Sequence, residues 1–285
     1  MKKFKFKPEG WDNEISLLDI ISIKKIKEDG EILQGIVKEC DEDYNLHINF
    51  ENGLNGIIPR EEVEAINLQE DGLPKTNLCT GKVHKFVQFK IKDIENNTAI
   101  LSRKEVQNEA LKFVKNDLKE GQKLDGIVKN IKPYGAFIEI GGGVVGMAHI
   151  EDLSIARIKS PYERLKIGQK VEVVVKSINR DNGRVILSYK ETLGTWEENA
   201  KNFVPGTKAE GIVRETEKNK NGIFIELAPN LVGMAEYKEG LEYGQPVQVY
   251  IKRIDSERKK VKLLIIWIIL LSFIKLYIIK LVKID

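Results

Sequence analysis

The sequence predicts a mainly β protein made of three tandem, five-stranded antiparallel barrels joined by short helices. One pattern recurs three times, with starts at Gly35, Gly126 and Gly211. Each copy contains five short runs of strand-forming residues, and the turns between them leave no room for crossover helices. Strands of this kind close into a small barrel, which also removes the exposed sheet edges.

The repeats align along their whole length. Each copy opens with Gly-Ile-Val and a basic residue (35–38, 126–129, 211–214) and ends in Ile-Leu-Ser or Val-Lys-Leu (100–102, 186–188, 261–263). The alignment divides the chain into a lead-in at 1–27, a first repeat at 28–106, a linker helix at 107–119, a second repeat at 120–190, a linker helix at 191–203, a third repeat at 204–264 and an apolar tail at 265–285.

The connectors between repeats show helical spacing. Residues 102–118 place Val106, Ala110 and Val114 on one face, and residues 190–203 do the same with Trp196 and Ala200. Such amphipathic helices usually pack between neighbouring domains. In the lead-in, the apolar run 15–26 fits either a short helix or an extended segment, since its periodicity does not separate the two.

Composition indicates a soluble globular protein, with 42% apolar and 31% charged residues. The two cysteines, Cys40 and Cys79, form no CxxC pair, so a reducing, cytoplasmic environment is expected. No apolar stretch of a secretory signal follows the basic start of the chain.

No residue pattern calls for catalysis, a metal or a cofactor. The three histidines are far apart and lack cysteine partners, which argues against a metal site. Glycines 141, 143 and 146 match a dinucleotide-binding spacing, but no helix is predicted after them. We interpret these glycines as a tight turn between strands.

The strongest candidate for a binding site lies in 126–153. Tyr134 and Phe137 follow Lys129 and Lys132, and aromatic faces beside positive charge suit unstacked bases and their phosphates. Strict alternation on a strand would put residues 134 and 137 on opposite faces. We expect a bulge or bend at Gly135 to bring both rings to one side.

The second repeat resembles the S1-type RNA-binding domain, a barrel of the oligonucleotide-binding (OB) fold. The resemblance rests on GxVKxIxxYGAFIEI, GMAHIEDLS and YERLKIGQKVEVVVKSINRDNGRVILSYK. It extends more weakly over residues 30–264. Several such repeats, opened by a divergent copy with GIIPREE at 56–62, resemble small-subunit ribosomal proteins that carry tandem domains of this type.

The resemblance implies an RNA-binding surface of two aromatics, a histidine, an acidic residue and an arginine. In the second repeat these positions, with the two lysines, are Lys129, Lys132, Tyr134, Phe137, His149, Asn179 and Arg184; in the third they are Phe224, Asp255 and Lys260. Asn179 replaces the usual acid. The first repeat keeps Tyr44 but has His47 and Pro59 at two of the other positions.

Charge ranks the repeats in the same order. The first has 9 Lys/Arg against 16 Asp/Glu (net −7), the second 12 against 8 (+4), and the third 11 against 9 (+2). A polyanion is repelled by the first repeat and attracted by the others. We therefore expect single-stranded RNA to bind mainly the second repeat, with the third in support and residues 28–106 contacting ribosomal small-subunit proteins. The resemblance implies that this RNA is mRNA.

Two alternatives stay open at this point. One is a protein-interaction scaffold or a membrane-tethered RNA-binding regulator, although a membrane is not the expected partner. The other concerns the tail: residues 265–285 fit a segment packed on the third barrel, an anchor, or the product of a frameshift. Their apolar stretch is short for a bilayer and is interrupted by Lys275.

Overall fold

The computed structural model describes residues 4–12, 14–16, 23–50, 54–66, 68–95, 98–216 and 222–268. The predicted fold class is confirmed, since the described strands form three closed five-stranded barrels. They belong to two compact units. The first unit covers 1–132, 136–148 and 165–187, and the second covers 133–135, 149–164 and 188–285.

The first barrel lies in the first unit. Its strands are β1 (Leu33–Cys40), β2 (Leu46–Asn49), β3 (Asn55–Ile58), β4 (Phe86–Glu95) and β5 (Thr98–Ser102), with α1 (Ile23–Asp29) before β1 and α2 (Thr76–Thr80) between β3 and β4. The strand order is β1-β2-β3-β5-β4, and a parallel β3–β5 pair contributes to closure. Alternate side chains such as Ile48, Phe89 and Leu101 point inward and are fully buried.

The connector between the first and second repeats contains α3 (Arg103–Asn116). The side-chain oxygen of Ser102 accepts the N–H of Glu105 at 3.0 Å and caps the helix. Val106, Ala110 and Val114 form the buried face that the helical spacing predicts.

The described N-terminal segment 4–12 brings a buried charge into the first unit. The Glu9 carboxylate accepts from the Arg103 guanidinium at 2.6 Å, and Arg103 also contacts Glu64 at 2.9 Å. Burial by itself raises the pKa of Glu9, but the positive charges of Arg103 and Lys82 lower it to about 2. A buried ion pair with these partners is satisfied, whereas removing one member would leave a buried, uncompensated charge.

The second barrel consists of β6 (Lys123–Lys132), β7 (Gly135–Gly141), β8 (Val144–His149), β9 (Lys170–Asn179) and β10 (Arg184–Ser188), in the order β10-β8-β7-β6-β9. The glycine-rich stretch is the predicted tight turn. Gly142 and Gly143 have φ of 59° and 72°, the left-handed values that a two-residue hairpin turn requires. A Cβ on Gly142 would meet the Cβ of Ala110 at 2.7 Å, so the turn also packs closely on α3.

The third barrel lies in the second unit. Its strands are β11 (Lys208–Thr216), β12 (Ile223–Ala228), β13 (Leu231–Ala235), β14 (Pro246–Asp255) and β15 (Lys260–Ile268), in the order β11-β12-β13-β15-β14. The second linker contains a 3-10 turn at Lys190–Thr192 and then α4 (Trp196–Ala200), which Thr195 and Glu198 cap reciprocally.

The last strand differs from its counterparts. β5 and β10 end at the buried Ser102 and Ser188, whereas β15 continues to Ile268. The rest of the predicted tail, 269–285, lies outside the described residues, as do residues 17–22 of the lead-in run.

Candidate nucleic-acid interface

The two aromatic residues of the second repeat occupy different local structures. Tyr134 lies with Pro133 in the turn between β6 and β7, and 51% of the side chain is exposed. Phe137 lies on β7 and is half-buried, while Ala136 and Ile138 on either side are fully buried in the barrel. Because Tyr134 precedes the strand, the alternation of strand residues does not apply to it. The expected bulge or bend at Gly135, with both rings on one side, stays a prediction.

The turn that carries Tyr134 is fixed by a backbone hydrogen bond. The N–H of Ile150 donates to the Tyr134 carbonyl at 2.9 Å. This bond joins the turn to the residue that follows His149. An anchored turn holds the exposed ring with less conformational freedom to lose on binding, which favours stacking.

His149 ends β8 and caps a 3-10 turn. Its Nδ1 accepts the N–H of Glu151 at 3.4 Å, and the Glu151 carboxylate lies 3.7 Å from the same atom. The side chain is 42% exposed. The histidine therefore has a structural role at the cap and still presents part of the ring to solvent.

The two lysines of the candidate site differ in their availability. Lys132 is exposed at the end of β6. The Lys129 ammonium lies 2.7 Å from the buried Glu139 carboxylate and also donates to the Glu9 carbonyl. Burial, together with the charge of Glu9, raises the pKa of Glu139, and Lys129 counteracts this. An RNA phosphate would have to compete with Glu139 for Lys129.

Asn179 organises the turn before Arg184. Its Oδ1 accepts the N–H groups of Asp181 and Asn182 at 3.1 and 3.2 Å, and its carbonyl accepts that of Gly183. Arg184 is exposed at the start of β10. Arg184 therefore follows the turn with an exposed side chain, and the hydrogen bonds of Asn179 stabilise the conformation of that turn.

The third barrel repeats this arrangement with an acid. The Asp255 carboxylate accepts the N–H of Arg258 at 3.0 Å, and Asp255 and Lys260 are direct partners between β14 and β15. Asp255 also lies 3.4 Å from the Arg253 guanidinium. Phe224 is half-buried on β12.

In the first barrel the matching positions are occupied by the protein itself. Tyr44 has a left-handed φ of 65°, and the Arg60 guanidinium covers its ring at 5.0 Å from the centroid. His47 lies 2.9 Å from Asp41. A ring already covered by an arginine is a poor platform for a base.

Sequence reasoning missed three residues on the outer face of the third barrel: Met234, Lys262 and Arg253. Met234 is opposite Phe224 on β13, Lys262 is opposite Met234 on β15, and Arg253 is opposite Lys262 on β14. The alignment of the repeats contained part of this signal, since Met234 and Met147 follow the same glycine in both copies.

Within the described ranges, no group of three or more His, Cys, Asp or Glu side chains is placed to bind a metal ion. None of the helices there has the length and apolar character needed to cross a bilayer.

Comparisons with known proteins agree on one kind of domain. The family model described as "S1 RNA binding domain" matches residues 117–190. Over 195 residues, the chain is 39% identical to small ribosomal subunit protein bS1 of Staphylococcus aureus, covering 62% of this chain and 49% of that protein. It is 29% identical over 264 residues to bS1 of Neisseria meningitidis serogroup B, covering 86% and 45%.

The chain thus spans about half the length of the curated relatives it matches. Among solved structures, a multidomain protein with nucleic acid binding domains from Streptococcus pneumoniae covers 83% of this chain and 73% of its own. The identity is 13% and the TM-score 0.27, so this overlap adds nothing to the assignment.

Proposed function

We propose that this chain, which is similar to the bacterial small ribosomal subunit protein bS1 and matches an S1 RNA-binding domain over residues 117–190, binds single-stranded RNA in translation. The second repeat is the main binding module, and mRNA is the natural substrate. The function is binding without catalysis, and its place is the cytoplasm, where ribosomes work.

The observation that carries the proposal is the exposure of Tyr134 on an anchored turn within the matched domain. A folded protein exposes a large ring at a fixed position at some cost, because the apolar face stays in water. Stacking of a base on that ring recovers this cost. Phe137, Lys132 and Arg184 supply a second ring and two exposed cations on the same repeat.

The first repeat is proposed to contact proteins of the small ribosomal subunit. Its net charge of −7 repels RNA, and Arg60 covers the tyrosine that could otherwise stack. Acidic surfaces are complementary to basic ribosomal proteins. This repeat then holds the chain in place while the later repeats bind RNA.

The proposal is tested by replacing both rings in the full chain, Tyr134→Ala with Phe137→Ala. Each stacked base is worth about 1–3 kcal/mol, so the double variant should bind labelled single-stranded RNA at least about tenfold more weakly. Fluorescence anisotropy across a salt series measures the affinity. The matched control is Tyr162→Ala, which removes another exposed ring of the chain. Equal affinities of the double variant, the control and the unaltered chain would overturn the assignment.

A further inference from the structure

Residues 149–164 run from the end of β8 towards β9 and belong to the same compact unit as the third barrel. His149 is the first residue of this β8–β9 loop, and the N–H of Ile150 donates to the Tyr134 carbonyl at 2.9 Å. Tyr134 is part of the same unit. The positions of the exposed tyrosine and of the histidine therefore depend on how the β8–β9 loop is held.

The far end of the loop is bound by buried ion pairs on the third barrel. The Arg164 guanidinium donates to the Glu226 carboxylate at 2.5 Å and to the Ser154 hydroxyl at 2.8 Å, so it links the loop to β12 and to itself. The second oxygen of Glu226 accepts from Arg214 on β11, also at 2.5 Å. Glu226 and Arg214 are buried, and the Arg164 side chain is 11% exposed. Charges removed from water to this degree interact more strongly than ion pairs at the surface.

A second attachment lies at Glu163, inside the same loop. Its carboxylate accepts the hydroxyl of Tyr243 at 2.9 Å and the guanidinium of Arg214 at 2.5 Å. It also accepts the N–H of Lys159 at 2.8 Å, and the Tyr243 oxygen accepts the same N–H at 3.0 Å. Tyr243 and Arg214 belong to the third repeat, so side chains of that repeat stabilise a turn of the second repeat.

Equivalent positions of the second barrel carry a related pair. Lys129 and Arg214 are each the fourth residue of a Gly-Ile-Val start, and Glu139 and Glu226 each end a Phe-Ile-Glu triplet. The Lys129 ammonium lies 2.7 Å from Glu139, which also accepts the N–H of Glu9. In both barrels the buried carboxylate pairs with the first strand of its own barrel and binds an earlier part of the chain. In the third barrel that earlier part is the β8–β9 loop.

We propose that the buried network on the third barrel positions the RNA-binding residues of the second repeat without touching RNA itself. A loop held in one conformation has less freedom to lose when RNA binds, so the turn of Tyr134 is kept ready for a base. The proposal rests on the function proposed for the whole chain. The positioning residues of the network are Glu163, Arg164, Arg214, Glu226 and Tyr243.

The test removes one link of each attachment, Arg164→Gln with Tyr243→Phe in the full chain, and leaves Arg214 paired with Glu226. The loosened loop has to be ordered again on binding, so affinity for labelled single-stranded RNA should fall about three- to tenfold. No phosphate contact is lost, so the slope of log affinity against log salt should stay the same. A slope shallower by about 0.7 would mean that Arg164 contacts a phosphate directly, and the positioning role would be wrong.

The same two substitutions in the chain carrying Tyr134→Ala separate positioning from a general loss of structure. If the network acts through the turn of Tyr134, the substitutions should change the affinity of that chain by less than about twofold, because effects of coupled residues do not add. An equal loss in the two backgrounds would mean that the network acts elsewhere, which overturns the proposal.

Arg164→Lys is the conservative variant. A single nitrogen of Arg164 contacts Glu226, so a lysine ammonium can replace that contact and should restore most of the affinity when it stands in place of the glutamine. A lysine variant as weak as the glutamine variant would mean that the charge opposite Glu226 does not hold the loop. Urea denaturation checks that each variant folds, and Tyr243→Phe alone, which keeps the ring, is measured in the same way if Arg164→Gln does not.

The matched control is Lys201→Gln with Tyr250→Phe, which removes an exposed charge and a hydroxyl of the same unit outside the network. If the network variant binds RNA as tightly as this control while the loss of Tyr134 and Phe137 still weakens binding, the network proposal is wrong and the proposed function stands. If the unaltered chain does not bind single-stranded RNA, both fail.

Discussion

The first and third barrels close in the same strand order but differ along one row of outward positions. In the third barrel the row is Glu215, Phe224, Met234, Lys262 and Arg253. In the first barrel the same register gives Glu39, His47, Ile57, Ile100 and Asp93. His47 stands in the first barrel where the third has Phe224, and Asp93 stands where the third has Arg253.

The comparison indicates that closure of the barrel restricts the residue type at inward positions and not at outward ones. At the start of each repeat a glycine lies against the core: a Cβ on Gly35 would meet Ile48 at 2.9 Å, and a Cβ on Gly211 would meet Ile225 at 2.5 Å. The outward positions contribute little to the core, so they are free to serve either RNA or a protein. In Asp93 the first barrel has a surface carboxylate that pairs with Lys27.

The largest expected effect tests the shared interior. Gly35→Ala and Gly211→Ala each force a methyl group into a packed core, and overpacking of this kind costs about 1–3 kcal/mol of unfolding free energy. Urea denaturation of each variant, compared with the unaltered chain, measures the loss of unfolding free energy. A loss in only one of the two barrels would show that their interiors are not equivalent.

The next prediction concerns a first barrel that is given the outward cations of the third barrel. Ile100→Lys with Asp93→Arg gives the first barrel the cations of the third, and two new phosphate contacts should steepen the salt slope of RNA binding by about 1.4. The same anisotropy assay measures it. Ile100→Gln with Asp93→Gln, which removes the acid without adding cations, is the control. An unchanged slope would mean that cations on this row do not reach RNA.

The smallest effect concerns the acidic exterior of the first barrel. Glu42→Lys with Asp43→Lys reverses two exposed charges, each worth about 0.2–1 kcal/mol to a contact, and should weaken co-sedimentation with purified small ribosomal subunits about two- to thirtyfold. Glu239→Lys with Glu242→Lys makes the same change on exposed residues of the third repeat. If both variants co-sediment with small subunits to the same extent, the proposal that the first repeat contacts the ribosome is wrong.

Much of the candidate site was predictable because its signals are local. The exposed ring at Tyr134, the turn at Gly142–Gly143 and the helix over 103–116 each depend on residues close in the sequence. The ion pair of Lys129 with Glu139 was not predictable in this way. Its partner Glu139 is buried because the N-terminal segment reaches it, with the Glu9 N–H donating to its carboxylate at 2.9 Å across 130 residues.

The sequence by itself determined the number of barrels, their strand content, a connecting helix and the presence of an aromatic ring at Tyr134. These features depend on alternation, glycine turns and helical spacing, which are short-range properties of a chain. Only the tertiary structure decided which residues of different strands stand together. Met234 meets Lys262 through the parallel closure of β13 and β15, and a register shift between Ile251 and Arg253 places Arg253 beside them. Register is set by how the whole barrel closes, and no local pattern records it.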